Sequence, residues 1–341
     1  MSQFEFIKTN FGEPNFELFS ELPKKLYKEN SPRFILGHDP VETFLEGLYV
    51  LLKDGEACGR FAFYENPELK YNEMPAACIG SYECENDPET SELLLEHTKT
   101  LAQEKGYKYL LGPMEGSTWN SHRFSSNNDF RNFFMEPYHH DYYNTQFQKA
   151  GFSVISDYFS NLDEKLNVDT NQLEKFEKIF TEKGAVFRNL YMQDIENEFE
   201  KLARFSLEAF SNNFLFTPIS VAEFVAKYKK IQAFIDPKLV WIVENKSEEI
   251  EAFIFSIPDH FESKKPPTTL IVKSMARKKD SSFRGIGSYL AGKTVQLAKK
   301  MGYKKVIHAF MIKDNASRAI SDKYATDGGF YKNYSLYGME L

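Results

Sequence analysis

Residues 273–293 read KSMARKKDSSFRGIGSYLAGK, and the order of residue types in this stretch decides the fold around it. An apolar run at 270–276 is the right length for one buried strand. It passes into a basic loop of small residues, which opens a helix at Gly285-Ile286-Gly287-Ser288. The first N–H groups of a helix have no intrahelical partner, and the helix dipole places partial positive charge there. Glycines let the backbone approach an anion closely, so the combination is a cradle for a phosphate group. Arg277, Lys278, Lys279 and Arg284 add positive charge around it.

Moving outward, the helix ends in LAKKMGYKKVI at 297–307, and this segment has a partner. Residues 101–111 read LAQEKGYKYLL, so both copies follow Leu-Ala-x-x-x-Gly-Tyr-Lys-x-apolar-apolar. In the first copy Leu94, Thr98, Leu101 and Ala102 share one helical face. In the second, Ile286, Leu290, Thr294, Leu297 and Met301 do, at spacings near 3.6. Gly106 and Gly302 stand where a left-handed residue would stop each helix. Each copy continues into a second helical stretch, a Gly-Phe pair (Gly151-Phe152 and Gly329-Phe330) and a tyrosine-rich strand. The order predicts an internal duplication: a first domain at 1–161, a charged connecting helix at 162–184 and a second domain at 185–341. Strands are expected at 239–244, 250–257 and 270–276, with a Pro/Lys-rich loop at 260–269. The fold class is α/β, a mixed sheet with helices on both faces, present twice.

Composition narrows the function. A length of 341 residues suits two domains, with 42% hydrophobic and 27% charged residues. No stretch reaches the ~18 consecutive apolar residues of a membrane span. The start, MSQFEFIKTN, lacks the order of a secretory signal. Cys58, Cys78 and Cys84 form no CxxC pair and read as free thiols of a reducing compartment, so a cytoplasmic location is expected. The net charge of −7 is unevenly spread, with 14 Lys+Arg against 25 Asp+Glu in residues 1–160 and an excess of positive charge beyond. The acidic first half speaks against nucleic acid as a partner, and the basic second half suits an anionic ligand.

The order strand, basic loop, Gly-x-Gly, amphipathic helix, Gly-Tyr, strand in residues 185–341 resembles the GNAT superfamily of acyl-CoA N-acyltransferases. Its phosphate-loop signature, [Arg/Gln]-x-x-Gly-x-[Gly/Ala], is similar to Ser282-Phe283-Arg284-Gly285-Ile286-Gly287. Both glycine positions match, and Ser282 stands where the signature has Arg or Gln. The resemblance implies that acetyl-CoA or another acyl-CoA is the co-substrate. It further implies that Met275, Ala276 and Arg277 offer backbone to the pantetheine arm and that Arg284, Gly285, Ile286, Gly287 and Ser288 hold the pyrophosphate. Asn315 fits the family's asparagine on the following helix. Tyr324, two residues further from it than the common spacing, is the candidate for protonating the leaving thiolate.

The first copy resembles the same fold, but its matching stretch, SYECENDPETSEL at 81–93, has no Gly-x-Gly and carries Glu83, Glu85, Asp87 and Glu89. It is expected to be a degenerate copy that does not bind the cofactor. The whole chain resembles a group of bacterial tandem-GNAT proteins through GPMEGSTW at 112–119, residues 137–143 and Ala150-Gly151-Phe152. Trp119, Arg123 and Tyr142 are the candidate acceptor-binding residues.

His139 and His140 are neighbours without a second ligand cluster, so no metal is expected. The leading expectation is acyl transfer to a small-molecule or peptidyl amine. Residues 270–276 hold no carboxylate to act as general base, which keeps open an acyl-CoA-binding or sensing protein of weak or no activity. An aminoacyl-tRNA-dependent transferase is the third reading. The sequence does not specify an oligomeric state.

Overall fold

A computed structural model describes residues 3–34, 40–126, 130–312, 321 and 331–341. The chain divides into two compact units. Unit 1 comprises Met1–Asp157, Phe214–Thr217 and Asn333–Leu341; unit 2 comprises Tyr158–Asn213 and Pro218–Lys332.

In chain order the first copy supplies β1 (Phe4–Thr9), α1 (Phe16–Leu26), β2 (Leu45–Lys53), β3 (Glu56–Tyr64), the short β4 (Lys70–Tyr71) and β5 (Met74–Cys84). It continues with α2 (Pro88–Glu104), β6 (Tyr109–Gly112), the short β7 (Phe124–Ser125), α3 (Tyr142–Lys149) and β8 (Ser153–Asp163). The second copy supplies α4 (Thr170–Glu182), β9 (Val186–Asn189), α5 (Ile195–Ala209), α6 (Val221–Lys229), β10 (Val240–Glu244) and β11 (Ile250–Pro258). It ends with β12 (Thr269–Arg277), α7 (Ile286–Lys300), β13 (Lys305–Ile312) and β14 (Lys332–Glu340).

The strands of each unit repeat one plan. In unit 1 the order is β1-β2-β3-β5-β6, antiparallel except for the parallel pair β5/β6. In unit 2 it is β9-β10-β11-β12-β13, antiparallel except for the parallel pair β12/β13. The predicted strands at 239–244, 250–257 and 270–276 are β10, β11 and β12 within a residue or two at each end.

The closing strands are exchanged between the copies. Unit 1's sheet is completed by β14, whose Tyr337 pairs antiparallel with Gly112 of β6. Unit 2's sheet is completed by the far half of β8, whose Asp163 pairs antiparallel with Val306 of β13. Each sheet is therefore finished by a strand encoded in the other copy.

The repeated Gly-Tyr-Lys segment has one local cause in both units. Gly106 and Gly302 adopt φ of 80° and 90°, a region strained for any residue with a Cβ. Each helix ends in the same pair of bonds. Tyr107 N–H donates to the Ala102 carbonyl and Gly106 N–H to that of Gln103; Tyr303 donates to Ala298 and Gly302 to Lys299. This double closure satisfies the carbonyls of the last turn and sends the chain straight into a parallel strand.

Each unit has its own core. Phe61, Phe63, Leu94, Phe147 and Tyr337 anchor that of unit 1. Ile254, Leu270, Ile286, Leu290 and Val295 anchor that of unit 2. Complete burial of each such side chain contributes about 1.5–3 kcal/mol. The three cysteines are free and buried. No helix among the described residues is long and apolar enough to cross a membrane.

Candidate functional site

In unit 2, β12 and β13 run parallel through four pairs, from Thr269/Lys305 to Val272/His308, and then part. Beyond that point, among the described residues, β12 pairs with β11 alone, and β13 continues on its other edge with Phe159 and Tyr158 of β8. A notch opens between them, edged by β12 on one side and by the irregular turn of β13 at Phe310, with φ of 56°, on the other. Extended backbone without a ladder partner is a template for a ligand carrying amides or carbonyls. A register shift in β12 opposite Phe255/Ser256 leaves Lys273 as the extra residue of a bulge at the mouth of the notch. The Lys273 ammonium lies 4.5 Å from the Phe310 ring centroid.

The loop after β12 is built by its own polar groups. Lys278 N–H donates to the Glu251 carbonyl at 2.7 Å, prolonging the ladder by one bond. The Arg277 guanidinium donates to the Lys278 and Lys279 carbonyls at 3.3 and 3.2 Å. Phe283 is buried and pins the loop to the core, and its carbonyl accepts the Ile286 N–H at 3.0 Å. Gly285 caps α7 at φ 92° with no capping side chain. That conformation, rather than any lack of space, demands glycine, since a Cβ there would meet nothing within 4 Å. The Gly287 and Ser288 amides find no backbone acceptor among the described residues. They stand at the positive end of the helix dipole, where an anion is favoured.

The structure thus brings Met275, Ala276, Arg277, Arg284, Gly285, Ile286, Gly287 and Ser288 together at the end of β12 and the start of α7. The ring of mobile cations read from the sequence is smaller than expected. Arg277 is engaged with loop carbonyls, and the Lys278 ammonium lies 3.5 Å from Glu249 and 4.0 Å from Glu251. Lys279 and Arg284 are exposed. Asn315 and Tyr324 fall outside the described residues. Among those described, no group of three or more His, Cys, Asp or Glu is placed to hold a metal ion.

Unit 1 contains the same notch, and its own chain fills it. Strands β5 and β6 pair from Ala76/Tyr109 to Cys78/Leu111, after which β6 ends and β5 continues. The following loop turns back. Met114 N–H donates to the Ile79 carbonyl at 2.7 Å, and the buried Glu115 carboxylate enters the notch. One Glu115 oxygen accepts the Ser81 backbone N–H at 2.5 Å and the Ser81 hydroxyl at 2.8 Å; the other accepts the Tyr64 phenol. Gly80 makes room for this, since a Cβ there would come within 2.7 Å of Glu115 Cδ and 2.9 Å of the Met114 carbonyl. Burial raises the Glu115 carboxyl above the usual range, with the Tyr64 and Ser81 bonds opposing.

The stretch read as an acidic loop at 81–93 is strand up to Cys84 and helix from Pro88. Its carboxylates are already paired. Glu83, on the strand, is buried between Arg33 at 2.8 Å and Arg60 at 3.8 Å, and accepts the phenols of Tyr27 and Tyr143 at 2.8 and 2.7 Å. Glu85 meets Lys25 at 3.2 Å. Asp87 caps α2, accepting the Thr90 N–H at 3.4 Å and hydroxyl at 2.6 Å. The start of α2 therefore carries its own anion, whereas that of α7 does not.

The three candidate acceptor residues all lie in unit 1. Trp119 donates its indole N–H to the Thr217 carbonyl at 2.9 Å and sets its ring edge-on to Phe216. Arg123 has φ of 83°, and its N–H donates to the Pro113 carbonyl at 3.0 Å. The Tyr142 hydroxyl donates to the Cys84 carbonyl at 2.9 Å, with its ring stacked on His140. His139 is buried, its Nε2 accepts the Ser125 N–H at 2.8 Å, and burial pushes its pKa down to about 4.

No family model matches the sequence, and no curated protein matches it either. Solved structures do. The glucosamine N-acetyltransferase region of a fungal multi-domain β-N-acetylglucosaminidase matches at a TM-score of 0.57 and 11% identity, over 99% of this chain and 38% of that one. A tandem GNAT protein from the clavulanic acid biosynthesis pathway matches at 0.56 and 10%, over 99% and 98%. A GCN5-related N-acetyltransferase from Sphaerobacter thermophilus matches at 0.53 and 10%, over 99% and 95%. The fold is that of the GNAT superfamily. It is present twice, as two GNAT-like domains, and the notch of each GNAT-like unit lies where a parallel strand pair parts. Among the residues sequence reasoning missed are Glu115 and Ser81. A glutamate inside GPMEGSTW and a serine inside a strand carry no motif, and their contact depends on the register of distant strands.

Proposed function

We propose that this protein is an acyl-CoA-dependent N-acyltransferase whose acyl-CoA site is the notch and helix start of unit 2, with acetyl-CoA the first candidate donor. One observation carries the reading. Of two notches of the same design, unit 1's is filled by Glu115 and its helix start by Asp87, while Gly285 leaves the start of α7 to bare amides. In this reading the pantetheine arm lies along Met275, Ala276 and Arg277, and the pyrophosphate is held by residues 284–288. Acetyl as the donated group, a small-molecule or peptidyl amine as the acceptor, and a cytoplasmic setting belong to the same proposal.

Acyl transfer to an amine forms a C–N bond, breaks the C–S bond and releases the thiol. An alkyl ammonium must first lose a proton, which costs about 4 kcal/mol at pH 7 for a pKa near 10. Strand β12, TLIVKSMAR, holds no carboxylate, so the proton must leave through water or a group from another element. That same absence favours the second reading, a protein that binds acyl-CoA without turning it over.

The test is thiol release from acetyl-CoA in the presence of a mixed library of small amines and peptides. Amine-dependent release supports the transferase. Binding of acetyl-CoA without release identifies a sensor, and absence of binding removes both readings.

A further inference from the structure

Unit 1 displays how a strand at this notch handles an oxygen ligand, and the display transfers to unit 2. Ala76 and Thr269 are equivalent, because each pairs in parallel with the residue that follows Gly-Tyr-Lys, Tyr109 in one unit and Lys305 in the other. Five residues further along, each strand carries a serine: Ser81 and Ser274. In unit 1 the Ser81 hydroxyl and the Tyr64 phenol both donate to the Glu115 carboxylate in the notch.

Ser274 is half-buried, just past the bulge, and pairs with Phe255 of β11. A tyrosine attends it as well. Tyr228 of α6 sets its ring edge-on to Phe255 at 6.0 Å and stacks on Phe224 at 4.5 Å. Burial pushes its pKa up to about 12, with the nearby Ser274 hydroxyl opposing, so it keeps its proton at neutral pH. Both units thus carry a serine on the strand that edges the notch and a tyrosine packed close to that strand. In unit 1 a carboxylate already lies between them.

We propose that Ser274 and Tyr228 are the side-chain donors that hold the carbonyl oxygen of the acyl thioester bound in unit 2. The assignment rests on the acyl-CoA reading above and adds two residues to it. When the amine nitrogen attacks the carbonyl carbon, the C=O π electrons move onto oxygen, and two hydroxyl donors stabilise that charge. On collapse the pair returns, the C–S bond breaks, and the sulfur takes up the proton the nitrogen gives up. Donors aimed at an oxygen that gains charge act more strongly in the transition state than in the ground state.

The experiment uses the full chain with two probes, CoA and [1-13C]acetyl-CoA, on the wild type, Ser274→Ala and Tyr228→Phe. Calorimetry gives both affinities, and 13C spectroscopy gives the polarisation of the bound carbonyl. Each variant is expected to keep its CoA affinity and to lose about 3- to 10-fold for acetyl-CoA, the worth of one hydrogen bond to a neutral carbonyl. The bound carbonyl resonance, downfield of free acetyl-CoA in the wild type, should move back toward the free position in each. Equal losses for CoA and acetyl-CoA, or an unmoved resonance, overturn the proposal and leave the acyl-CoA site standing. If the wild type binds neither probe, the site itself falls. Should Ser274→Ala not fold, Tyr228→Phe decides, and Ser274→Thr, which keeps the hydroxyl, should behave as wild type.

Discussion

Two notches made by the same strand order have met opposite fates in one chain. In unit 1 a loop folds back, Glu115 supplies the oxygen ligand and Asp87 supplies the anion at the helix start. In unit 2 an eight-residue loop from Lys278 to Gly285 separates strand from helix, and beyond a left-handed glycine the Gly287 and Ser288 amides find no backbone acceptor among the described residues. The difference teaches how the polar groups of one such notch can be satisfied from within the chain. The strand geometry survives, and the polar groups that would recognise a ligand are given internal partners.

The largest expected effect tests unit 2. Gly287→Glu places a carboxylate at the positive end of α7, where it would supply the anion that Asp87 supplies to α2. CoA affinity should fall about 100-fold or more, since charge-assisted hydrogen bonds are worth about 1.5–3 kcal/mol each. Unchanged affinity by calorimetry would erase the contrast between the helix starts.

Glu115→Ala tests unit 1. It strands the Ser81 and Tyr64 donors in a buried site, at a cost of about 3–5 kcal/mol and a melting midpoint lower by about 10 °C. A variant melting with the wild type would show that the carboxylate fills the notch without holding it.

Acid should weaken each unit through a buried histidine. His139 in unit 1 and His308 in unit 2 are pushed down to about 4 by burial. Their folded pKa lies below the unfolded value near 6.5, so the unfolded state binds the proton first. The contribution to stability is complete above pH 6.5 and lost as pH falls toward 4, up to about 3 kcal/mol per site. Chemical denaturation at pH 7 and pH 4.5 should show the loss, and His308→Gln should flatten the slope of unit 2 alone.

The smallest effect concerns Tyr142. Its hydroxyl bond to Cys84 O suggests a structural tyrosine, and Tyr142→Phe should cost about 1 kcal/mol. A change in acceptor KM with acyl-CoA affinity unaltered would instead support its proposed acceptor role.

The duplication and the strand-loop-helix at 270–300 were legible in the sequence because they are local. Helical periodicity, a glycine stop and a short apolar run each state their structure within about ten residues. The filling of unit 1's notch was not legible. It requires Glu115 to reach Ser81, thirty-four residues away, and Tyr64, fifty-one residues away, and only strand register brings these together. The acidic cluster misled for a related reason. Glu83 looks like loop charge in the sequence, yet Arg33 and Arg60 neutralise it inside the core. Charge counts along a chain do not reveal which charges are paired.

The exchange of closing strands bears on how this protein can be made and unmade. A ribosome that has released the first copy has not yet supplied the strand that seals it, because that strand is residues 333–341. Unit 1 must wait with the edge of β6 exposed until the whole second copy has been synthesised. Cutting the gene between the copies would give two fragments, each lacking strand residues that complete its unit. A duplication joined in this way is no longer two heritable parts, and selection on either half must act on a single indivisible chain.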